Sequence, residues 1–228
     1  MCLYRTAAFR QHAPMHTTPG QGVASMAATL DNATIHVWRL GYERARGREP
    51  LRALLGAYLN VPADAVVLVE REHGRPELAE PWNRCLQFNW SHSGDTALIA
   101  LARSVVPGID VEHLRSRARA MEVAERFFHR DETSALAVLD VAQREHAFLQ
   151  LWTGKEAVLK AMGRGIAFGL DRLCLTVSPA APRLVWLEGD DAAQWQLQPL
   201  PLGSDFVACV AWRGPPQTIV MGTLADGA

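Results

Sequence analysis

The chain lacks an excess of charge of either sign. Over 228 residues, Lys and Arg number 23 and Asp and Glu 24, a formal net charge of -1. No surplus of positive charge exists to make it a generic nucleic-acid binder, although a local basic patch could still hold phosphate. Cysteine is scarce and scattered: Cys2, Cys85, Cys174 and Cys209 form no C-x-x-C pair. That argues against a zinc cage and a disulfide framework, and a reduced, cytoplasmic setting is expected. No apolar run approaches the roughly 18 residues needed to cross a bilayer, and no apolar stretch of a secretion signal opens the chain. Neither membrane nor nucleic acid is therefore expected as a partner. Acid is missing altogether from the first thirty residues. Residues 1–33 read as a poorly ordered extension, as sequence upstream of a start at Met26, or as a transit peptide. With 49% hydrophobic and 21% charged residues, the whole has the composition of a soluble globular chain able to bury one large core or two small ones.

The folded body is expected from Thr34. Ile35 to Leu40 reads as a strand and Arg48 to Asn60 as an amphipathic helix with Leu51, Leu54, Leu55 and Tyr58 on one side. Val66 to Glu70 reads as a β-branched strand and His73-Gly74-Arg75-Pro76 as a turn. Leu86 to Asn89 and Thr96 to Ala102 read as antiparallel strands joined by the polar link Ser91 to Asp95. After a break near Pro107-Gly108, Val106 to Glu112 predicts a short strand. Arg119 to Phe128, Asp131 to Leu139 and Arg144 to Met162 predict three helices. Leu173–Val177, Leu184–Leu187, Trp195–Leu200, Phe206–Trp212 and Thr218–Gly222 predict a closing set of strands. The order strand, helix, strands thus occurs twice, which suggests an α+β chain of two similar halves, residues 34–106 and 107–228.

Three clusters carry polar chemistry. Asp110 and Glu112 flank Val111 on a predicted strand, so both carboxylates project from one side while Ile109 and Val111 point to the core. They either face open water or share a cation such as Mg²⁺, which takes one or two protein carboxylates and leaves room for phosphate. On the longest predicted helix, Glu156 and Lys160 stack one turn apart beside an apolar arc of Phe148, Leu151, Trp152, Val158, Leu159 and Met162. They read as a surface pair or as part of a site. Lys155 falls inside that arc, where its charge must snorkel to water or find an anion. The third cluster is Asn89-Trp90-Ser91-His92-Ser93-Gly94. Neighbouring Ser and His do not make a catalytic triad. An exposed hairpin turn and a phosphate-binding link, with Arg75 and Arg52 adding charge, both remain open.

The segments FNWSHSG (Phe88 to Gly94), GIDVE (Gly108 to Glu112), RFF with DE (Arg126 to Phe128, Asp131-Glu132), WTGKEAVLK (Trp152 to Lys160) and HGRPEL (His73 to Leu78) together resemble the 4′-phosphopantetheinyl transferases of the surfactin-synthetase-activating type. The W-x-x-K-E-A form is similar to a subgroup that often serves fatty-acid or polyketide carriers. The resemblance implies two pseudo-symmetric α+β halves with coenzyme A and Mg²⁺ in the cleft between them. It implies transfer of the phosphopantetheine arm to a serine of an apo acyl or peptidyl carrier protein, with release of adenosine 3′,5′-bisphosphate. By motif, Asp110, Glu112 and Glu156 would hold the metal, Glu156 would also be the base, and Lys160 and Lys155 would contact the pyrophosphate. Ser91, His92, Arg75 and Arg52 would hold the nucleotide. Small members of the family assemble from several chains, so a chain of this length is expected to be a monomer that builds its site alone. The basic and apolar run from His113 to Arg130, with Arg115, Arg117, Arg119, Phe127 and Phe128, would face the carrier. A Mg²⁺-dependent phosphohydrolase of coenzyme A or a related nucleotide, and a non-catalytic coenzyme A or carrier-binding module, are the competing expectations.

Overall fold

The computed structural model describes residues 15–17, 22–70, 74–115, 119–177 and 181–224. Its first half contains β2 (Thr34–Gly41), α2 (Glu49–Leu59), a hairpin of β3 (Leu68–Glu70) and β4 (Pro76–Leu78), and the strands β5 (Gln87–Ser93) and β6 (Thr96–Ala102). Its second half runs through β7 (Gly108–His113), α3 (Ala120–Phe127), α4 (Arg130–Ala137) and α5 (Val141–Met162). A hairpin of β8 (Leu173–Leu175) and β9 (Leu184–Leu187) follows, and then β10 (Trp195–Pro199) and β11 (Phe206–Arg213). In both halves the first strand pairs antiparallel with the last, and the last with the one before it: β2-β6-β5 and β7-β11-β10. The expected pair of pseudo-symmetric α+β halves is therefore present as a repeated topology.

Strand alternation explains how the halves stack. Ile35 and Val37 of β2 and Leu98, Ala100 and Ala102 of β6 meet Ile109, Val111, Ala208, Val210 and Trp212 of the second sheet in one core. The opposite faces take the helices. Trp38, Leu40, Ile99 and Leu101 pack under α2, while Val207, Cys209 and Ala211 pack under α5. The result is four layers, helix, sheet, sheet and helix. Each fully buried Leu or Ile in them contributes about 2 kcal/mol. Gly108 fixes how closely α5 lies on β7, since a Cβ there would sit 1.9 Å from the Ala157 carbonyl oxygen. Gly154, within α5, makes room for the Leu175 side chain, 2.6 Å from where its Cβ would stand.

The chain ends cross the half boundary. β12 (Thr218–Thr223) inserts parallel to β2 and pairs on its other side with β1 (Met15–Thr17), completing a five-stranded sheet in the first half. Residues 22–30, within the segment expected to be poorly ordered, instead form α1 (Val23–Ala27) and bury Met26 and Leu30 in the α2 core. The remainder of that segment, residues 1–14 and 18–21, lies outside the described residues, as does His73 of the expected turn. α5 begins earlier than its hydrophobic period suggests, because the Asp140 carboxylate accepts the Gln143 N–H at 2.9 Å and caps it.

Candidate active site

The site forms where β5, the edge of one sheet, lies beside β7, the edge of the other, with α5 packed on β7. Residues 91–95 were expected as a link, yet β5 continues to Ser93 and the turn is only Gly94-Asp95. Gly94, at φ 62, supplies the positive φ that such a tight hairpin requires. A polar sequence can be a strand here because its side chains replace a missing partner strand. With period two, Asn89 Oδ1 accepts the Ile109 N–H at 2.9 Å, Ser91 Oγ donates to Asp110 Oδ1 at 2.8 Å, and Ser93 Oγ donates to Glu112 Oε2 at 3.2 Å while accepting the His113 N–H at 3.1 Å. The two-residue spacing of the serines matches that of the carboxylates.

From α5, the Lys160 ammonium donates to Asp110 Oδ1 at 2.7 Å, to Ser91 Oγ at 3.0 Å and to the Ile109 carbonyl at 3.1 Å. Glu156, one turn earlier, points into the same cleft of about 350 Å³, whose wall also includes Trp90, His92, Trp152 and Ile166. Two buried oxygens, Asp110 Oδ2 and Glu156 Oε1, have no hydrogen-bond partner among the described residues. Burial, and then the neighbouring Asp110 and Glu112 carboxylates, push the Glu156 carboxyl up to about 7 against the pull of Lys160. Orphaned carboxylate oxygens crowded against one another are the donor set of a hard cation. Among the described residues no three His, Cys, Asp or Glu side chains form a ready-made metal cage. Mg²⁺ does not require one, because it keeps several waters and phosphate oxygens.

A second cavity of about 620 Å³ adjoins the first through His92 and is lined by Tyr42, Arg44 and Gly94. The His92 ring stacks on Tyr42, with centroids 3.9 Å apart and planes 7° from parallel. Burial, and then the positive charges of Lys160 and Arg44, hold the imidazole below its usual range. Cations that oppose an imidazolium also favour an anion.

Ser91, His92, Asp110, Glu112, Glu156 and Lys160 are thus brought together. Other candidates are elsewhere. Lys155 does not reach the cleft: its ammonium is fully buried against Glu132 Oε2 at 2.6 Å. An anion was needed beside that apolar arc, and α4 supplies it internally. Arg75 holds the main chain of the site, donating to the Lys160 carbonyl at 2.6 Å and the Phe88 carbonyl at 3.3 Å. Arg52 is exposed on α2 and lines neither cavity. Arg115, Arg119 and Phe127 are exposed, but Phe128 is core, stacked on Phe148. Arg117 lies outside the described residues. Tyr42 escaped the sequence reading, since nothing in its spacing marks a ring destined to stack on residue 92.

The family profile of the 4′-phosphopantetheinyl transferase superfamily matches residues 107–211, the span that carries Asp110, Glu112, Glu156 and Lys160. The chain is 36% identical over 169 residues to the 4′-phosphopantetheinyl transferase HetI of Nostoc, covering 74% of this chain and 69% of that one. It is 29% identical over 169 residues to the 4′-phosphopantetheinyl transferase psf-1 of Bacillus pumilus, with 74% and 70% covered. The solved holo-[acyl-carrier-protein] synthase of Thermotoga maritima overlaps 48% of this chain and 64% of its own at 20% identity and a TM-score of 0.39.

Proposed function

This chain belongs to the 4′-phosphopantetheinyl transferase superfamily, and from that premise we propose that it carries the phosphopantetheine arm of coenzyme A to a serine hydroxyl of an apo acyl or peptidyl carrier protein. In that reaction the serine oxygen forms a bond to the β-phosphorus, the bond to the adenosine 3′,5′-bisphosphate oxygen breaks, and the hydroxyl proton leaves to a base. Asp110, Glu112 and Glu156 would hold Mg²⁺, which when bound neutralises charge on the pyrophosphate and on the departing oxygen.

The protein's own groups supply position and proton transfer. Without metal, burial and the neighbouring carboxylates push the Glu156 carboxyl up to about 7; a bound cation would draw it down, so it is its place in the cleft beside Lys160 that suits it to take the hydroxyl proton. Lys160, fixed by Asp110, Ser91 and the Ile109 carbonyl, sets a cation where phosphate charge develops. The cavity beyond His92, with Tyr42 and Arg44, suits the nucleotide and its 3′-phosphate. No protein nucleophile is required, because phosphoryl chemistry is carried by positioning and electrostatics. The carrier would meet Arg115, Arg119 and exposed Phe127, a basic and apolar surface that suits an acidic helix. No described helix is long and apolar enough to cross a membrane, and the reading is of a cytoplasmic monomer with one coenzyme A per chain.

The observation that carries the proposal is the pair of orphaned carboxylate oxygens, Asp110 Oδ2 and Glu156 Oε1, in the cleft that holds Lys160. Incubating apo carrier, coenzyme A and Mg²⁺ with the protein and weighing the intact carrier tests it. Gain of the phosphopantetheine mass supports transfer. Coenzyme A breakdown without that gain means hydrolysis, and binding without turnover means a module. Glu156→Gln is expected to lower transfer by about 10³-fold, with coenzyme A affinity by calorimetry nearly unchanged. Wild-type turnover in this variant would overturn the role of Glu156.

A further inference from the structure

The buried pair of Lys155 and Glu132 does more than fill the core. Lys155 is fully buried and Glu132 is 1% exposed. The ammonium donates to Glu132 Oε2 at 2.6 Å and to the carbonyls of Leu170 at 2.8 Å and Leu173 at 2.6 Å, so all three of its protons are used. The Phe128 ring lies 5.1 Å from it. Glu132 accepts the Leu175 N–H at 2.7 Å and the His129 N–H at 3.1 Å. Three groups of the main chain that follows α5, at residues 170, 173 and 175, are therefore held by one ion pair spanning α4 and α5.

The segment that this pair holds reaches into the cleft. Between the end of α5 and Leu170 the chain carries Gly163, Gly165 and Gly169 at φ 70, 58 and 101, and Ile166 of this loop lines the catalytic cavity. The loop holds one 3-10 turn of its own, Ile166–Phe168, closed by the Gly169 N–H on the Ile166 carbonyl at 3.0 Å, and the three glycines flank that turn and leave its junctions free to bend. Its near end is tied by the Gly163 and Arg164 N–H groups to the carbonyls of Lys160 and Leu159. Its far end is tied by Lys155. Lys155 also directly precedes Glu156, so the same ammonium fixes the helix turn that presents the proposed base. Buried ion pairs are replaced by apolar pairs of similar volume at little cost or even with a gain in stability, so stability alone is a poor reason for one here.

We infer that Lys155 and Glu132 are positioning residues for the transfer reaction, clamping the loop 163–170 and the Glu156 turn of α5 in the geometry the cleft needs. The inference rests on the proposed transferase reading for its kinetic consequence but not for its mechanical one. The test is the double variant Lys155→Met with Glu132→Gln. With Glu132→Gln the amide oxygen can still accept the Leu175 N–H, the amide nitrogen can no longer accept the His129 N–H of the α4 cap, and both loop carbonyls lose their donor. Arg164 is exposed in the loop, so trypsin cleavage between Arg164 and Gly165, followed by fragment mass, reads the clamp without any assay of activity.

In a double variant that melts cooperatively, this cut is expected to be about ten-fold faster, with kcat down about 100-fold and KM for coenzyme A changed by less than about three-fold. A purely structural role would lower melting temperature and active fraction without opening this one bond. Wild-type cleavage, or faster cleavage with wild-type kcat, overturns the inference. If the double variant does not fold, Lys155→Gln is used instead. Its shorter amide keeps a donor for Glu132 but falls short of the carbonyls, and the same outcomes decide. If the wild-type protein transfers nothing, the functional reading fails, and the cleavage rate still decides whether the clamp exists.

Discussion

Two lysines five residues apart on α5 each meet a carboxylate, and they have opposite characters. Lys155 and Glu132 are sealed: neither side chain is exposed, and the ammonium and the carboxylate are saturated by each other and by main-chain groups. Lys160 and Asp110 sit in a cleft, with the lysine side chain 26% exposed and one Asp110 oxygen unpartnered among the described residues. In a low-dielectric interior a charge must be compensated completely or it shifts and neutralises. The sealed pair meets that demand internally. The open pair leaves part of it for a ligand to meet, and this is what separates a structural charge from a functional one on a single helix.

The sharpest break of the comparison is to truncate each lysine. Lys155→Met leaves Glu132 buried without its counter-charge and is expected to cost about 3–5 kcal/mol of folding stability. Lys160→Met leaves Asp110, whose side chain is 7% exposed, still hydrogen-bonded to Ser91, and is expected to cost about 1–3 kcal/mol while removing most transfer activity. Urea denaturation of the two variants measures the first quantity and carrier mass the second. Equal destabilisation by both would erase the distinction.

A smaller effect comes from the acid between the two pairs. Glu156 is pushed up to about 7 from its ordinary value of 4.5, so between those values the native protein binds a proton that the unfolded chain has released. Stability of the metal-free protein should therefore fall as pH rises through that window, by up to about 3 kcal/mol, and level off above it. Glu156→Gln should flatten this slope, and added Mg²⁺ should recover stability at pH 8. Denaturation in chelator at pH 5, 6, 7 and 8 would show it. A slope that survives in Glu156→Gln assigns the proton to another group.

What the sequence made legible follows the range of the interactions. Alternation along residues 109–112 separates the carboxylates from Ile109 and Val111, and helical spacing puts Glu156 and Lys160 on one edge; both are local rules, and the cleft uses both. The partner of Lys155 is 23 residues upstream on another helix, where no periodicity can pair them. Residues 91–93 look like a turn because strands are usually recognised by apolar alternation, whereas the alternation here is polar and satisfied by β7. Nor could spacing show that β12 returns to the first sheet, or that Met26 would find a core under α2. These depend on which surfaces meet after the halves stack.

The smallest expected effect isolates what the serine seam contributes to the open pair. Ser91 Oγ accepts from Lys160 and donates to Asp110 Oδ1, so Ser91→Ala removes two bonds. The direct bond between Lys160 and Asp110, and that to the Ile109 carbonyl, remain. The loss is expected to be about 1 kcal/mol of stability, with transfer reduced by less than about ten-fold because charge positions hold and only their anchoring loosens. Ser93→Ala also removes two bonds, the one to Glu112 at 3.2 Å and the one from the His113 N–H at 3.1 Å, but both are long and only half-buried, and the change should cost less than that. If Ser91→Ala were as inactive as Lys160→Met while remaining folded, the hydroxyl would have to act on substrate directly. The open pair would then be a triad of lysine, aspartate and serine rather than a lysine and aspartate steadied by a neighbour.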